Sequence, residues 1–256
     1  MIYQELAGLG LSIKPPPSAA NRAGEDAAYK FLRSLGSFSK LPEDELKTLA
    51  NSSRFASVDS GQYIAAEGDE KSRYGFIVVS GRLAMIKTSI NGKELVVELL
   101  PPGDIFGLIL TLALEQLPAQ LSARAQSNSK VLWVPVGALT SILNAHPTIY
   151  KDFVAHLSES LQSSYRMSRG LAHDRVEVRI AAILSNLALK FARVLPASQD
   201  YTIDITRQQL ADLTGTTTES AIRITRAMQH SRLIDIERPG TVRVLDLKAL
   251  QGIAEE

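Results

Sequence analysis

The chain has 256 residues, a net charge of +1 and 45% apolar residues, enough for one large or two ordinary globular domains with a sizeable core. It has no cysteine, which excludes disulfides, thiolate metal sites, cysteine-ligated iron–sulfur clusters and thiol redox sensing. The near-neutral total leaves nucleic-acid binding open, because a small basic face can hide within it. The opening M-I-Y-Q-E-L lacks the basic start and apolar core of a signal peptide, and the most apolar run, Ile105 to Leu117, falls well short of the ~20 residues of a membrane span. The expectation is a cytoplasmic protein with no membrane partner.

In chain order, residues 1–28 read as an N-terminal arm: Pro15, Pro16 and Pro17 and the following S-A-A-N-R-A-G make a helix-poor polar spacer. Tyr29 to Leu35 and Pro42 to Ser52 carry short helical patterns, with Leu46, Leu49 and Ala50 on the inner face of the second. From Arg54 to Val136 the period changes. Ser60-Gly61, Glu67-Gly68, Ser80-Gly81, Asn91-Gly92 and Pro102-Gly103 punctuate short β-rich runs at Gln62 to Ala66, Gly75 to Val79, Arg82 to Thr88, Glu94 to Leu100 and Lys130 to Pro135. Short, evenly spaced strands with turn signals indicate a β-sandwich or barrel. Asn91-Gly92, set between two alternating runs, is a hairpin signal.

Pro147 to Gly170 carries Ile149, Phe153, Leu157, Leu161, Ser164 and Ser168, continued by Leu171, at spacings of three and four. The stripe fits a two-helix seam, and equally a helix packed on its own domain. Gly170 to Asp174 reads as a hinge, and Val176, Ile180, Ile183, Leu184 and Leu187 resume an amphipathic helix. Thr206 to Gln229 then reads as two helices around a tight turn. Thr206 and Gln209 have the spacing of a capping box, Gly215 marks the turn, and Thr216 or Thr217 caps the second helix. Ala221, Ile224 and Met228 repeat at helical spacing, while Arg223 and Arg226 stay off that stripe. This is the pattern of a helix-turn-helix, whose second helix enters the DNA major groove; an ordinary helical hairpin with a solvated face is the alternative. Leu233 to Glu237 and Thr241 to Leu245 flank Arg238-Pro239-Gly240 as a hairpin, the "wing" of a winged helix.

The run Y-G-F-I-V-V-S-G-R-L-A-M-I-K-T-S-I-N-G-K-E-L-V-V-E-L-L-P-P-G-D-I-F-G resembles the β-roll of the CRP/FNR family of bacterial regulators, and the helix-turn-helix resembles theirs at the expected distance downstream. The resemblance covers roughly residues 29 to 247. It implies an α+β protein: a cyclic-nucleotide-binding-type β-roll (a double-stranded jelly roll) over residues 29–146, a dimerisation helix and hinge over 147–172, and a winged helix-turn-helix over 173–256. It implies a homodimer on double-stranded DNA bearing an inverted repeat, with RNA polymerase as a further partner if the regulator is an activator. By the match, Thr206, Arg207 and Gln208 hold phosphates, while Thr217, Thr218, Glu219, Ile222, Arg223 and Arg226 face base edges or the adjacent backbone. Glu219 can accept from a cytosine amino group and arginine can pair with guanine; Glu219 as a helix-dipole partner is the alternative. The cyclic-AMP receptor branch has arginine at the position of Thr218, so the half-site resembles the FNR-type TTGA more than TGTGA.

The candidate effector pocket comprises Phe106, Gly107, Leu108, Leu110, Gln120 and Arg124. Cyclic-nucleotide binders of the family place a glutamate where Leu108 stands, and an arginine and its neighbour where Ala119 and Gln120 stand. A cyclic phosphate left unpaired in an apolar pocket is costly, which argues against cyclic AMP. The FNR-type iron–sulfur cluster is excluded by the missing cysteines. Haem stays open as a cofactor, with His146, His156, Met85 and Met167 as potential axial ligands, which would make the protein a gas sensor. No dedicated metal site is expected. No nucleophile elbow, P-loop or H-E-x-x-H appears in its required context, so the chain is not read as an enzyme. A nucleotide-binding module without DNA contacts is the remaining rival, and such a module has no need of the helix-turn-helix.

Overall fold

The computed structural model describes residues 22–67, 74–88, 94–107, 121–194 and 201–255. Two compact units emerge, one from the chain up to Glu94 with Leu99–Ser160, the other from Leu161–Glu256 with Leu95–Glu98.

The first unit begins with α1 (Arg22–Ser34), seven residues earlier than the helical pattern at Tyr29. Ala28 and Leu32, one turn apart on one face, are both fully buried, so the helix is fixed by packing rather than by its polar start. A single 3-10 turn (Phe38–Lys40) leads to α2 (Glu43–Ser52), which opens on Glu43, Asp44 and Glu45, three acidic residues that complement the positive end of the helix dipole. Eight strands follow: β1 (Arg54–Val58), β2 (Tyr63–Ala65), β3 (Tyr74–Ser80), β4 (Leu83–Thr88), β5 (Glu94–Leu100), β6 (Ile105–Phe106), β7 (Ser122–Ala125) and β8 (Ser129–Pro135). They form two four-stranded sheets, ordered β1-β8-β3-β6 and β2-β7-β4-β5. The expected β-roll is present. The Asn91-Gly92 turn itself lies outside the described residues, though the strands on either side of it, β4 and β5, are neighbours in one sheet.

Strands β3 and β8 are buried on both faces, and their period of two distributes them between two cores. Phe76 and Val78 of β3, with Val131 and Trp133 of β8, join a cluster that includes Leu83 and Ala123 of the second sheet. The alternate residues Ile77, Leu132 and Val134 join Leu32, Phe38, Leu46, Leu49, Leu139 and Leu143 under the helices. Gly81 turns the chain between β3 and β4 at φ +80°; a Cβ there would lie 2.6 Å from the Asn128 carbonyl oxygen, which only glycine avoids. The unit continues with α3 (Val136–Ala145) and the first part of α4 (Pro147–His173).

The second unit takes the rest of α4 and α5 (Val176–Val194), a three-stranded antiparallel sheet ordered β10-β11-β9, and three further helices. Here β9 is Tyr201–Asp204, α6 Arg207–Thr214, α7 Thr218–His230, β10 Ile234–Arg238, β11 Thr241–Val244 and α8 Leu247–Ala254. Ile180, Leu184, Ile203, Leu210, Ala221, Met228 and Val242 are buried in it. The break between α4 and α5 falls at Asp174-Arg175, at the C-terminal edge of the expected hinge. There the Arg179 guanidinium donates to the Asp174 carbonyl at 3.2 Å.

Candidate nucleic-acid interface

The helix-turn-helix is built by local hydrogen bonding at three points. Thr206 Oγ1 accepts from the Gln209 amide at 3.1 Å, and the Gln209 side chain accepts from the Thr206 amide at 2.9 Å, a closed capping box. Gly215 ends α6 in the left-handed region (φ +59°, ψ +41°), its amide returning to the Ala211 carbonyl. Thr217, not Thr216, caps α7, its Oγ1 accepting from the Ser220 amide at 3.2 Å. Leu210 and Leu213 of α6 and Ala221, Ile224 and Met228 of α7 are buried between the helices and the rest of the unit. Two threonines share that interior by donating backward along their own helices, Thr214 to Leu210 O at 2.6 Å and Thr225 to Ala221 O at 2.8 Å.

With the apolar stripe turned inward, the opposite face is left polar. All nine candidate DNA contacts retain solvent exposure: Thr206, Gln208, Thr217, Glu219, Arg223 and Arg226 are exposed, and Arg207, Thr218 and Ile222 are half-buried. Thr218 donates to Gln208 Oε1 at 2.5 Å, tying the first turn of α7 to α6, and Gln208 Nε2 donates to Asp212 Oδ1 at 2.8 Å. Asp212 carries no motif signal in the sequence; its part appears only once the two helices are set side by side. The hairpin of β10 and β11 turns at Pro239-Gly240, with Gly240 at φ +89°. A Cβ on Gly240 would touch Thr206 Cγ2 at 3.5 Å, so the tip of the wing sits beside the cap of α6. Arg238 Nε donates across the hairpin to Thr241 Oγ1 at 3.1 Å.

The candidate effector residues are divided. Leu108, Leu110 and Gln120 lie outside the described residues. Phe106 stacks on Phe76 with ring centroids 4.9 Å apart, and Gly107 lies so close to Gly75 that a Cβ would meet Gly75 Cα at 3.0 Å. Arg124, on β7 opposite Tyr63 of β2, is already engaged. Its Nη2 lies 2.8 Å from Glu94 Oε2, its Nη1 donates to Glu94 Oε1 at 3.0 Å, and its guanidinium carbon sits 5.3 Å from the Tyr63 ring centre. The Tyr63 hydroxyl donates to Glu94 Oε1 at 2.7 Å. Burial, then this bond to Glu94, pushes the Tyr63 phenol up to about 12, against the pull of the Arg124 charge. Of the potential haem ligands, His146 pairs through Nε2 with Glu45 at 2.6 Å and Met85 packs on the core between the sheets. The side chains of His156 and Met167 lie outside the described residues.

The stripe on α4 needs correction in its first half. Ile149 and Phe153 are 1% and 2% exposed, and Phe153 meets Phe38 edge-on at 5.7 Å in the core of the first unit. They have no surface left for a second chain. Leu157 also packs partly on that core. Among the described side chains of α4, the exposed large apolar ones are Tyr150, Val154, Leu161 and Tyr165, at 43%, 39%, 50% and 65%. The side chains of Ser164 and Ser168 are outside the described residues.

A β-roll, a long helix and a winged helix-turn-helix with a polar outer face define a regulator that joins a sensory unit to a DNA-reading one. Two family models match the chain, a cyclic nucleotide-binding domain over residues 55–146 and a Crp-like helix-turn-helix domain over residues 178–253. The chain belongs to the CRP/FNR family of transcription regulators. It is 27% identical over 165 residues to the cAMP-activated global transcriptional regulator CRP of Pasteurella multocida, covering 64% of this chain and 78% of that one. It is 25% identical over 198 residues to the regulatory protein HlyX of Actinobacillus pleuropneumoniae, covering 77% and 81%. Among solved structures, FixK2 from Bradyrhizobium japonicum has the same fold at a TM-score of 0.65 and 20% identity, covering 78% of this chain and 96% of that one. Both curated relatives carry the names of regulators. Among the described residues no helix is long and apolar enough to cross a membrane.

Proposed function

We propose that this regulator acts as a homodimer that reads an inverted repeat through α7, under the control of an effector other than cyclic AMP. One observation carries the reading: α6 and α7 are capped and packed so that Thr218, Glu219, Arg223 and Arg226 remain together on the solvent side. The amides at the start of α6, with Arg207, suit backbone phosphates, and Glu219 suits a base amino group. Tyr150, Val154, Leu161 and Tyr165 supply the dimer seam. Their spacing of four and seven, with Leu157 between, is that of one face of a two-helix coil. The twofold axis then presents two copies of α7 about one helical turn of DNA apart.

The effector reading rests on charge. Leu108 and Gln120 provide no carboxylate for a ribose and no cation for a phosphate, and Arg124 is held by Glu94. RNA polymerase as a further partner, if the regulator is an activator, and a cytoplasmic location belong to the same proposal. Selection from a random DNA pool tests its centre. Wild type enriches a palindrome with half-sites about 10–11 base pairs apart. Glu219→Ala relaxes one base position at a cost of ~1–3 kcal/mol, whereas Arg207→Ala weakens all sequences alike and lowers the salt slope by about one ion. Failure to enrich any palindrome refutes the reading.

A further inference from the structure

The bonds joining Asp212, Gln208 and Thr218 run in one direction only. A carboxylate accepts and cannot donate, so the end of the Gln208 amide facing Asp212, 2.8 Å away, is its NH2 group. The carbonyl end is thereby turned toward α7, where it takes the Thr218 hydroxyl proton at 2.5 Å. A free threonine hydroxyl rotates and serves as donor or acceptor, which makes it an indifferent reader of base edges. Here the proton is committed inward, and what Thr218 Oγ1 keeps for the groove is lone pairs.

We infer that Asp212 and Gln208 are positioning residues that make Thr218 an acceptor-only reader, selecting adenine or cytosine on the strand it faces; this rests on the DNA-reading role proposed for α7. Adenine N6 and cytosine N4 are the major-groove donors, while guanine O6 and thymine O4 present acceptors that repel an outward lone pair. The second Gln208 amide proton stays available to a phosphate, so its backbone role is retained. Asp212 itself, an acid beside DNA, weakens binding to every sequence equally; its gain lies in discrimination. Glu219, next along α7, is also an acceptor, and the two side chains give the start of α7 one polarity.

Random-pool selection with the full-length protein tests this with Thr218→Val, Asp212→Ala, the double variant and Asp212→Lys. Asp212 is exposed and Thr218 half-buried, and melting curves check that each variant folds. Thr218→Val and Asp212→Ala should each lower discrimination at the same base position by roughly fivefold, the worth of one neutral hydrogen bond, with no further loss in the double variant. The ammonium in Asp212→Lys should draw the Gln208 carbonyl to itself, turn the NH2 toward Thr218 and free the hydroxyl proton. Preference at that position then crosses from adenine or cytosine to guanine or thymine on the same strand. If Asp212→Ala keeps full discrimination where Thr218→Val loses it, or if the two effects add, the inference is overturned. A wild type that enriches no motif overturns instead the DNA-reading role on which it rests.

Discussion

Leu161→Arg should convert the regulator to a monomer without disturbing its fold. Leu161 is 50% exposed, so its remaining surface, buried against a second copy, contributes ~1 kcal/mol per chain and ~2 kcal/mol per dimer. Arginine removes that gain and brings two guanidinium groups toward each other across a twofold axis. At an effective dielectric of ~20 and a few ångströms' separation they repel by ~3–4 kcal/mol. The combined ~5 kcal/mol corresponds to between three and four decades in the dimer dissociation constant. Light scattering on a sizing column at micromolar concentration is the assay: dimer for wild type, monomer for the variant, with superimposable melting curves. Leu157→Arg separates surface from core, because Leu157 packs partly on the interior of the first unit and its loss should also lower the melting temperature. A Leu161→Arg protein that stays dimeric, or a monomeric wild type, refutes the seam assigned to α4.

Thr206→Ala removes the side-chain half of the capping box, the hydroxyl that accepts from the Gln209 amide, and should destabilise the second unit by ~1 kcal/mol in urea unfolding, with Thr206→Ser retaining most of it. Gly81→Ala combines a left-handed φ with a collision against the Asn128 carbonyl and should cost about 2 kcal/mol or more, read as an earlier melt of the β-roll. Because the Tyr63 phenol is raised from 10.0 to about 12, its contribution is whole below pH 10 and fades as pH climbs toward 12. The gap in urea midpoint between wild type and Tyr63→Phe should therefore hold steady up to pH 10 and narrow above it; a constant gap through pH 11 contradicts the raised value.

Local chemistry was the part of the fold most open to reading from the chain. The cap at Thr206, the turn at Gly215 and the buried triplet Ala221, Ile224 and Met228 depend on neighbours within a few residues and are legible, while the second cap is narrowed only to Thr216 or Thr217. Strands β1, β7 and β9 and helix α3 were not. Strand β7 is Ser-Ala-Arg-Ala, without a branched or aromatic residue, and exists because β2 and β4 flank it. Helix α3 contains Gly137 and the β-branched Val136, Thr140 and Ile142, a composition that points away from helix; burial of Val136, Leu139, Ile142 and Leu143 overrides it. On α4 the stripe begins with Ile149 and Phe153, which the first unit's own core takes up, because periodicity alone cannot tell a face covered by the same chain from one left for another. The bonding of Gln208 to Asp212 and Thr218 needs two helices side by side, and the Arg124–Glu94 pair needs adjoining strands; neither leaves a mark on sequence spacing.

The packing of α4 on the first unit bears on how the protein can be cut. A fragment ending at His146, the last residue matched as a nucleotide-binding domain, would carry away Ile149 and Phe153 and leave Phe38 facing a void in place of an aromatic ring. Holes of that kind cost several kcal/mol apiece, comparable to the whole margin of a small domain. A stable sensory piece must therefore extend past Leu157, and in doing so it takes with it Tyr150 and Val154 from the surface of the same helix. Isolating the sensor for spectroscopy or calorimetry thus yields a fragment with an apolar strip exposed to solvent, and solubility, rather than folding, becomes the variable to control at its C-terminal end.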